Sequence, residues 1–380
     1  MDQVMAGRAF VQGKDIQAMT GLTRLFPYIF ALVTCLVCAA PAAGYEWTPL
    51  PDMKHVHKAG TMTVMRDGRV LLIGGASGDA DQTHALAEVF DPAAGAFRVT
   101  GSMHQRRSGH CSVALADGNV LVAGGSAGRF LYELRSVELY NARTGRFTNV
   151  GDMSVGRMAS PTCTALPDGN VLIAGGAYEG TLGSGNVLLD RFDISRSTLV
   201  PRVGKLAAPR SGSGHVSILL STGQILNIGG MSDYSSPAMP AAESYDPEHN
   251  VSSVMRMQPA GGPGPYAAAT LPDGNVILMK KGETTYPEYY DPSEWRYETL
   301  LAAGALRMHP AASSITALRG GKILFISGRQ LRVFDPAGNS TEQIGFPPRL
   351  GNGQCVELDD GRLFCANLEN KAAVLLRLKE

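Results

Sequence analysis

Short apolar runs recur along this chain, each opened by a tight turn. The clearest is Asp168-Gly169-Asn170-Val171-Leu172-Ile173-Ala174-Gly175-Gly176. Copies stand at residues 67–75, 117–125, 222–230, 273–279, 320–328 and 360–366. The run has no polar face, so it reads as a strand covered on both sides. Its Asp-Gly start closes a hairpin, and its closing glycine pair permits backbone angles that other residues avoid. A strand of small and apolar residues precedes each turn, as at 109–115. After the glycine pair comes a variable loop, then a strand ending in Asp-Pro or a relative: Glu88-Val89-Phe90-Asp91-Pro92, Glu243-Ser244-Tyr245-Asp246-Pro247. A fourth strand carries an aromatic such as Phe97, Phe147 or Trp295. The turn glycines Gly68, Gly118, Gly169, Gly223, Gly274, Gly321 and Gly361 recur every 40 to 54 residues. Four strands at that period predict an all-β propeller.

The two ends of the array are complementary. Residues 45–53 read as the end of a repeat, and residues 354–378 supply three strands without a fourth. An N-terminal strand that completes the last blade removes both free edges. Seven turns and this closure predict seven blades. Six blades with an appendage is the alternative. Blade 5 replaces the glycine pair with Lys280-Lys281, and blade 7 lacks both the pair and the Asp-Pro.

Composition adds little to the fold and more to the setting. Of 380 residues, 34 are Lys or Arg and 34 Asp or Glu, so no long-range basic field exists to hold nucleic acid. Residues 25–43 are apolar, follow Arg24 and end in small residues, the order of a secretory signal peptide. The expected domains are thus a signal at 1–43 and a propeller at 45–380. Met19 is an alternative start, and an uncleaved membrane anchor is the alternative reading of the apolar run. Export, periplasmic or secreted, makes disulfides possible. Cys355 and Cys365 flank the Asp359-Asp360-Gly361 turn symmetrically as cross-strand partners. They are read either as a disulfide or as two buried thiols. Cys111 and Cys163, on inner strands of adjacent blades at offset heights, are expected as buried thiols.

The repeat resembles the kelch repeat, with its Arg-x-Gly-His opening, double glycine, Glu-x-Tyr-Asp-Pro and late aromatic. The resemblance covers residues 45–380 and implies a kelch-type propeller, a fold that serves unrelated functions. Positions present in every blade are read as structural, and the Glu before Tyr-Asp-Pro, which recurs in four blades, is read as a blade-linking carboxylate. The connections between strands 2 and 3, and between blades, fall on one rim. There the sequence places Arg107, Arg157, Arg210 and Arg349, with His110, His215, Tyr266 and His309. The expectation is an electropositive funnel for an anionic ligand, since an Arg fork pairs bidentately with carboxylates. The resemblance supports that location. The alternative is that each Arg ties its blade to a Glu or a carbonyl.

Enzymatic chemistry finds less footing. His55 and His57 alternate on one strand face, a metal pair only if His104 or His309 joins them, and neither a metal nor a cofactor is expected. Copper-radical oxidases of the galactose oxidase type share this propeller, but their cross-linked Cys–Tyr, second Tyr and two His are not assignable here. The main expectation is a non-catalytic, monomeric module that recognises a partner protein or an anionic glycan at the rim. The loop aromatics Phe130, Tyr132, Tyr178 and Tyr234 would serve it. The second is a carbohydrate-acting enzyme similar to the exported kelch propellers of the N-acetylneuraminate epimerase type.

Overall fold

The structure is a computed structural model. It describes residues 44–78, 82–128, 132–177, 185–231, 240–304, 306–307, 313–347, 349–351 and 353–379. The expected signal at 1–43, His309, Phe130, Tyr178 and Tyr234 lie outside the described residues. No helix among those described is long and apolar enough to cross a membrane.

Seven antiparallel four-stranded blades form the propeller. Blade 1 runs Thr61–Val64, Val70–Ile73, Ala87–Asp91 and Ala96–Val99 from the inside outward. The last blade is Gln354–Glu357, Leu363–Ala366 and Ala373–Leu378, closed by Tyr45–Pro49 at the N-terminal end. Trp47 lies opposite Leu376, and its indole N–H donates to the Gly345 carbonyl at 2.9 Å. Blades 3 and 4 share one continuous strand, Thr198–Leu219, which is outermost in blade 3 and innermost in blade 4.

The apolar runs are the second strands, and Val70–Ile73, Val120–Ala123 and Val171–Ala174 are buried throughout. Their two faces pack on neighbouring blades, so the core is a ring of inter-blade clusters. Phe364 of blade 7 stacks on Phe90 of blade 1, with ring centroids 4.4 Å apart. The Asp-Gly turns close as expected: Asp117 Oδ1 accepts the Asn119 N–H at 2.9 Å, and Gly118 has φ +89°.

Both cysteine pairs are disulfides. Cys355 and Cys365 are register partners with Cα atoms 4.1 Å apart. Cys111 and Cys163 are bonded as well, Cα atoms 5.7 Å apart, which corrects the expectation of free thiols. The first residue of one inner strand lies beside the second residue of the next. Thr162 and Ser217 show the same offset, their hydroxyls 2.7 Å apart. The height difference read as separation is what brings the two sulfurs together.

Candidate functional site

The loop rim is built on buried ion pairs. Lys58 bridges to Ala76, Ser108 to Ser126 and Met158 to Ala177, so each of these inter-blade connections lies against a 2–3 loop. Just inside those bridges, Arg107, Arg157 and Arg210 have 0 % exposure. Arg107 donates to Glu138 at 2.7 Å and to the Gly124 carbonyl at 2.8 Å. Arg157 donates to Asp190 at 2.6 Å and to the Gly175 carbonyl at 2.6 Å. Arg210 donates to Glu243 at 2.6 Å and to the Gly229 carbonyl at 2.8 Å. Each guanidinium thus ties an inter-blade connection to strand 3 and to the first glycine of the pair. Burial lowers all three arginine pKa values, and the adjoining carboxylate opposes it. The ligand funnel expected of these residues is corrected on this point: they are internal struts with no surface to offer.

The same acids also hold backbone. Glu138 accepts the His104 N–H at 2.8 Å, three residues before its arginine, and Asp190 accepts the Ser154 N–H at 3.2 Å. Burial alone would raise the Glu138 carboxyl. The His104 N–H and Arg107 hold it below the usual carboxylate range.

This constellation is the signature of one repeat. A family model described as the Kelch motif matches residues 107–154, from the strut arginine of blade 2 to the first donor of the next strut. The chain is a seven-bladed β-propeller that carries a kelch motif. Solved structures share the fold. A fungal alcohol oxidase in complex with copper aligns with a TM-score of 0.64 at 13 % identity, over 87 % of this chain and 76 % of that one. A streptogramin B lyase aligns at 0.61 and 11 %, over 88 % and 98 %. The virginiamycin B lyase of Staphylococcus aureus aligns at 0.59 and 12 %, over 88 % and 99 %. At these identities the likeness is one of fold alone. No curated protein matches the sequence.

The propeller varies its strut in informative ways. In blade 1 the place of the arginine is taken by His57, fully buried against Glu88. Its Nδ1 lies 2.7 Å from the Gly74 carbonyl and its Nε2 3.0 Å from Glu88 Oε1. The ring thus spans the same glycine carbonyl and the same strand-3 carboxylate that Arg bridges elsewhere. Both its nitrogens face protein oxygens, so neither is free for a metal. Among the described residues no group of three or more His, Cys, Asp or Glu is placed to hold one. In blade 5 the acid is Glu288 and takes the Ala260 N–H at 2.8 Å. Three residues on stands Pro263, which has no cation to give. Burial raises the Glu288 carboxyl, and the Ala260 and Gly261 N–H groups oppose it only in part. Lys280, in the place of the first glycine, instead donates to the Gly261 carbonyl at 2.8 Å and pairs with Glu283 at 2.9 Å. In blade 7 both positions are apolar: Leu350 and Val374 sit in one core cluster.

The remaining candidates are also mostly internal. His110 and His215 are each 5 % exposed. His215 covers Gly175, where an added Cβ would lie 2.3 Å from the ring. Burial and the nearby arginines lower both histidines, His215 to about 3, so both are neutral packing groups. Tyr266, at the equivalent position, is buried and donates to the Gly262 carbonyl at 2.8 Å. Arg349 alone of the four arginines is exposed, and it pairs with Asp52 at 3.0 Å. Sequence reasoning missed the His57 strut and the uncompensated Glu288. Both were visible as departures from the repeat, Pro263 above all.

Proposed function

We propose that this kelch propeller is an exported, non-catalytic binding module that recognises a partner protein or an anionic glycan with its loop rim. The observation that carries this reading is the row of four consecutive struts, His57–Glu88, Arg107–Glu138, Arg157–Asp190 and Arg210–Glu243. They fix the base of four inter-blade connections and leave the loops above free to differ. A rigid scaffold carrying variable loops is a binding design. The rim also presents unburied cations beside the struts, Lys58 and Arg106. The two disulfides are consistent with an oxidising compartment.

The test is a thermal-shift screen of the full chain against carboxylated sugars, sugar phosphates and acidic peptides. A ligand at 100 times its dissociation constant adds about 2.7 kcal/mol. The expected result is a shift that Lys58→Ala and Arg106→Ala together abolish. A shift that survives both substitutions would refute recognition through these rim cations. The enzyme reading rests on Glu288, because a carboxyl raised by burial is the type used as a general acid. Its 5 % exposure in a closed blade favours a structural role.

A further inference from the structure

The face opposite the loop rim carries an arginine-lined groove of about 930 Å³ between blades 1 and 2. Its walls include Arg66, Arg69, Arg98 and Arg143 against two acids, Asp67 and Asp117. Both acids are already engaged. Asp67 pairs with Arg69, and Asp117 accepts from the Asn119 N–H and side-chain amide at 2.9 and 2.8 Å. Arg66 donates to the Ala116 carbonyl, and Arg69 to the Ala142 carbonyl at 3.1 Å. Arg98 and Arg143 are exposed and, among the described residues, make no ion pair. The groove wall therefore sets four guanidiniums against two carboxylates, and among the described residues Arg98 and Arg143 pair with neither.

The repeat supplies its own control. Strand pairing sets Arg98 opposite Val89, and the corresponding residues in the other blades are Thr148, Val200, Ser253, Glu298, Glu342 and Thr48. Arg98 is the one cation of the seven. Arg143 occupies the third position of the 3–4 turn, where blades 1, 3, 4, 5 and 6 have Ala93, Ser195, Glu248, Ser293 and Ala337. It too is the one cation. The fold requires neither residue, and the two converge on the same groove from adjacent blades. The neighbouring groove between blades 7 and 1 is lined instead by Asp67, Asp91, Asp359 and Asp360, with Arg69 and Arg362.

We infer that this groove is a binding site for an anionic polysaccharide segment, bearing carboxylate or sulfate groups. The groove is open and wide, which suits an extended chain. Its one aromatic, Tyr140, is buried, its hydroxyl within 2.9 Å of Thr100 Oγ1, so it offers no ring for stacking a nucleobase. Arg forks read carboxylate and sulfate oxygens through paired donors. Because the chain has no net charge, the attraction is local to the groove and screened by salt.

The experiment is calorimetric titration of the full chain with a polyuronate and a sulfated glycosaminoglycan at low salt. Neutral dextran and single-stranded DNA are the comparisons. Wild-type protein is expected to bind one of the two acidic glycans. Arg98→Glu with Arg143→Glu is expected to weaken that binding about tenfold or more, with an unchanged melting temperature. Lys58→Ala with Arg106→Ala on the other rim is expected to leave it unchanged, which separates this site from the rim reading. No binding to either glycan, full binding by the groove variant, or tighter binding of DNA would each overturn the inference.

Discussion

A buried arginine, a histidine in its place, and a carboxylate with neither define the chemistry of this molecule residue by residue. Removing one partner of a buried pair leaves the other charged and alone, which costs about 3–5 kcal/mol. Arg107→Leu is therefore expected to lower the unfolding free energy by about that much in urea titration. Adding Glu138→Val should recover much of the loss, because Leu350 and Val374 show that an apolar pair fits these positions. A double variant no better than the single would contradict the strut assignment. The pH dependence has two signs. Glu88 and Glu138 are held below the ordinary glutamate value of 4.5, so their stabilisation is present above that pH and disappears as pH falls through their lowered values. Glu288 is raised above 4.5, so its penalty is absent below that pH and complete above its folded value. Glu288→Gln is accordingly expected to raise the melting temperature at pH 8 and to change little near pH 4.

Between elements, what matters is how inner strands lie beside one another. The Cys111–Cys163 bond joins blades 2 and 3 across 52 residues. Cys111→Ser with Cys163→Ser is expected to cost about 2–4 kcal/mol, and alkylation without reductant should label none of the four propeller cysteines. Labelling of Cys111 or Cys163 would contradict the bond. This level also marks how far the sequence could be read. The blade count, the closing strand and the shared loop rim followed from the period of turn glycines and the mismatched termini. Strand register within a blade followed from the turns, which is why Cys355 and Cys365 were placed correctly as cross-strand partners. Register between blades is set by packing, and no turn encodes it, so Cys111–Cys163 was missed. The arginines were left between funnel and strut for a related reason, and the strut alternative is the one that holds for Arg107, Arg157 and Arg210: an Arg near a loop reads as surface unless its acid is known to face it. The recurrence of Glu88, Glu138 and Glu243 was the available signal.

For the molecule as a whole, the ring closes through Tyr45–Pro49, whose register runs the length of Ala373–Leu378. Deleting residues 45–49 exposes that edge and uncovers the cluster around Leu376. The deletion is expected to unfold blade 7 and give a protein that aggregates, seen by light scattering. A monomer with wild-type ellipticity would contradict closure by this strand. A closed ring with locked rim supports suits the proposed recognition without turnover. Saturation-transfer NMR of the full chain with a panel of carboxylated sugars tests it most directly. The account predicts transfer of saturation to a bound sugar acid whose spectrum stays unchanged over days. New resonances from an epimer or a cleavage product would show an enzyme instead and contradict the account.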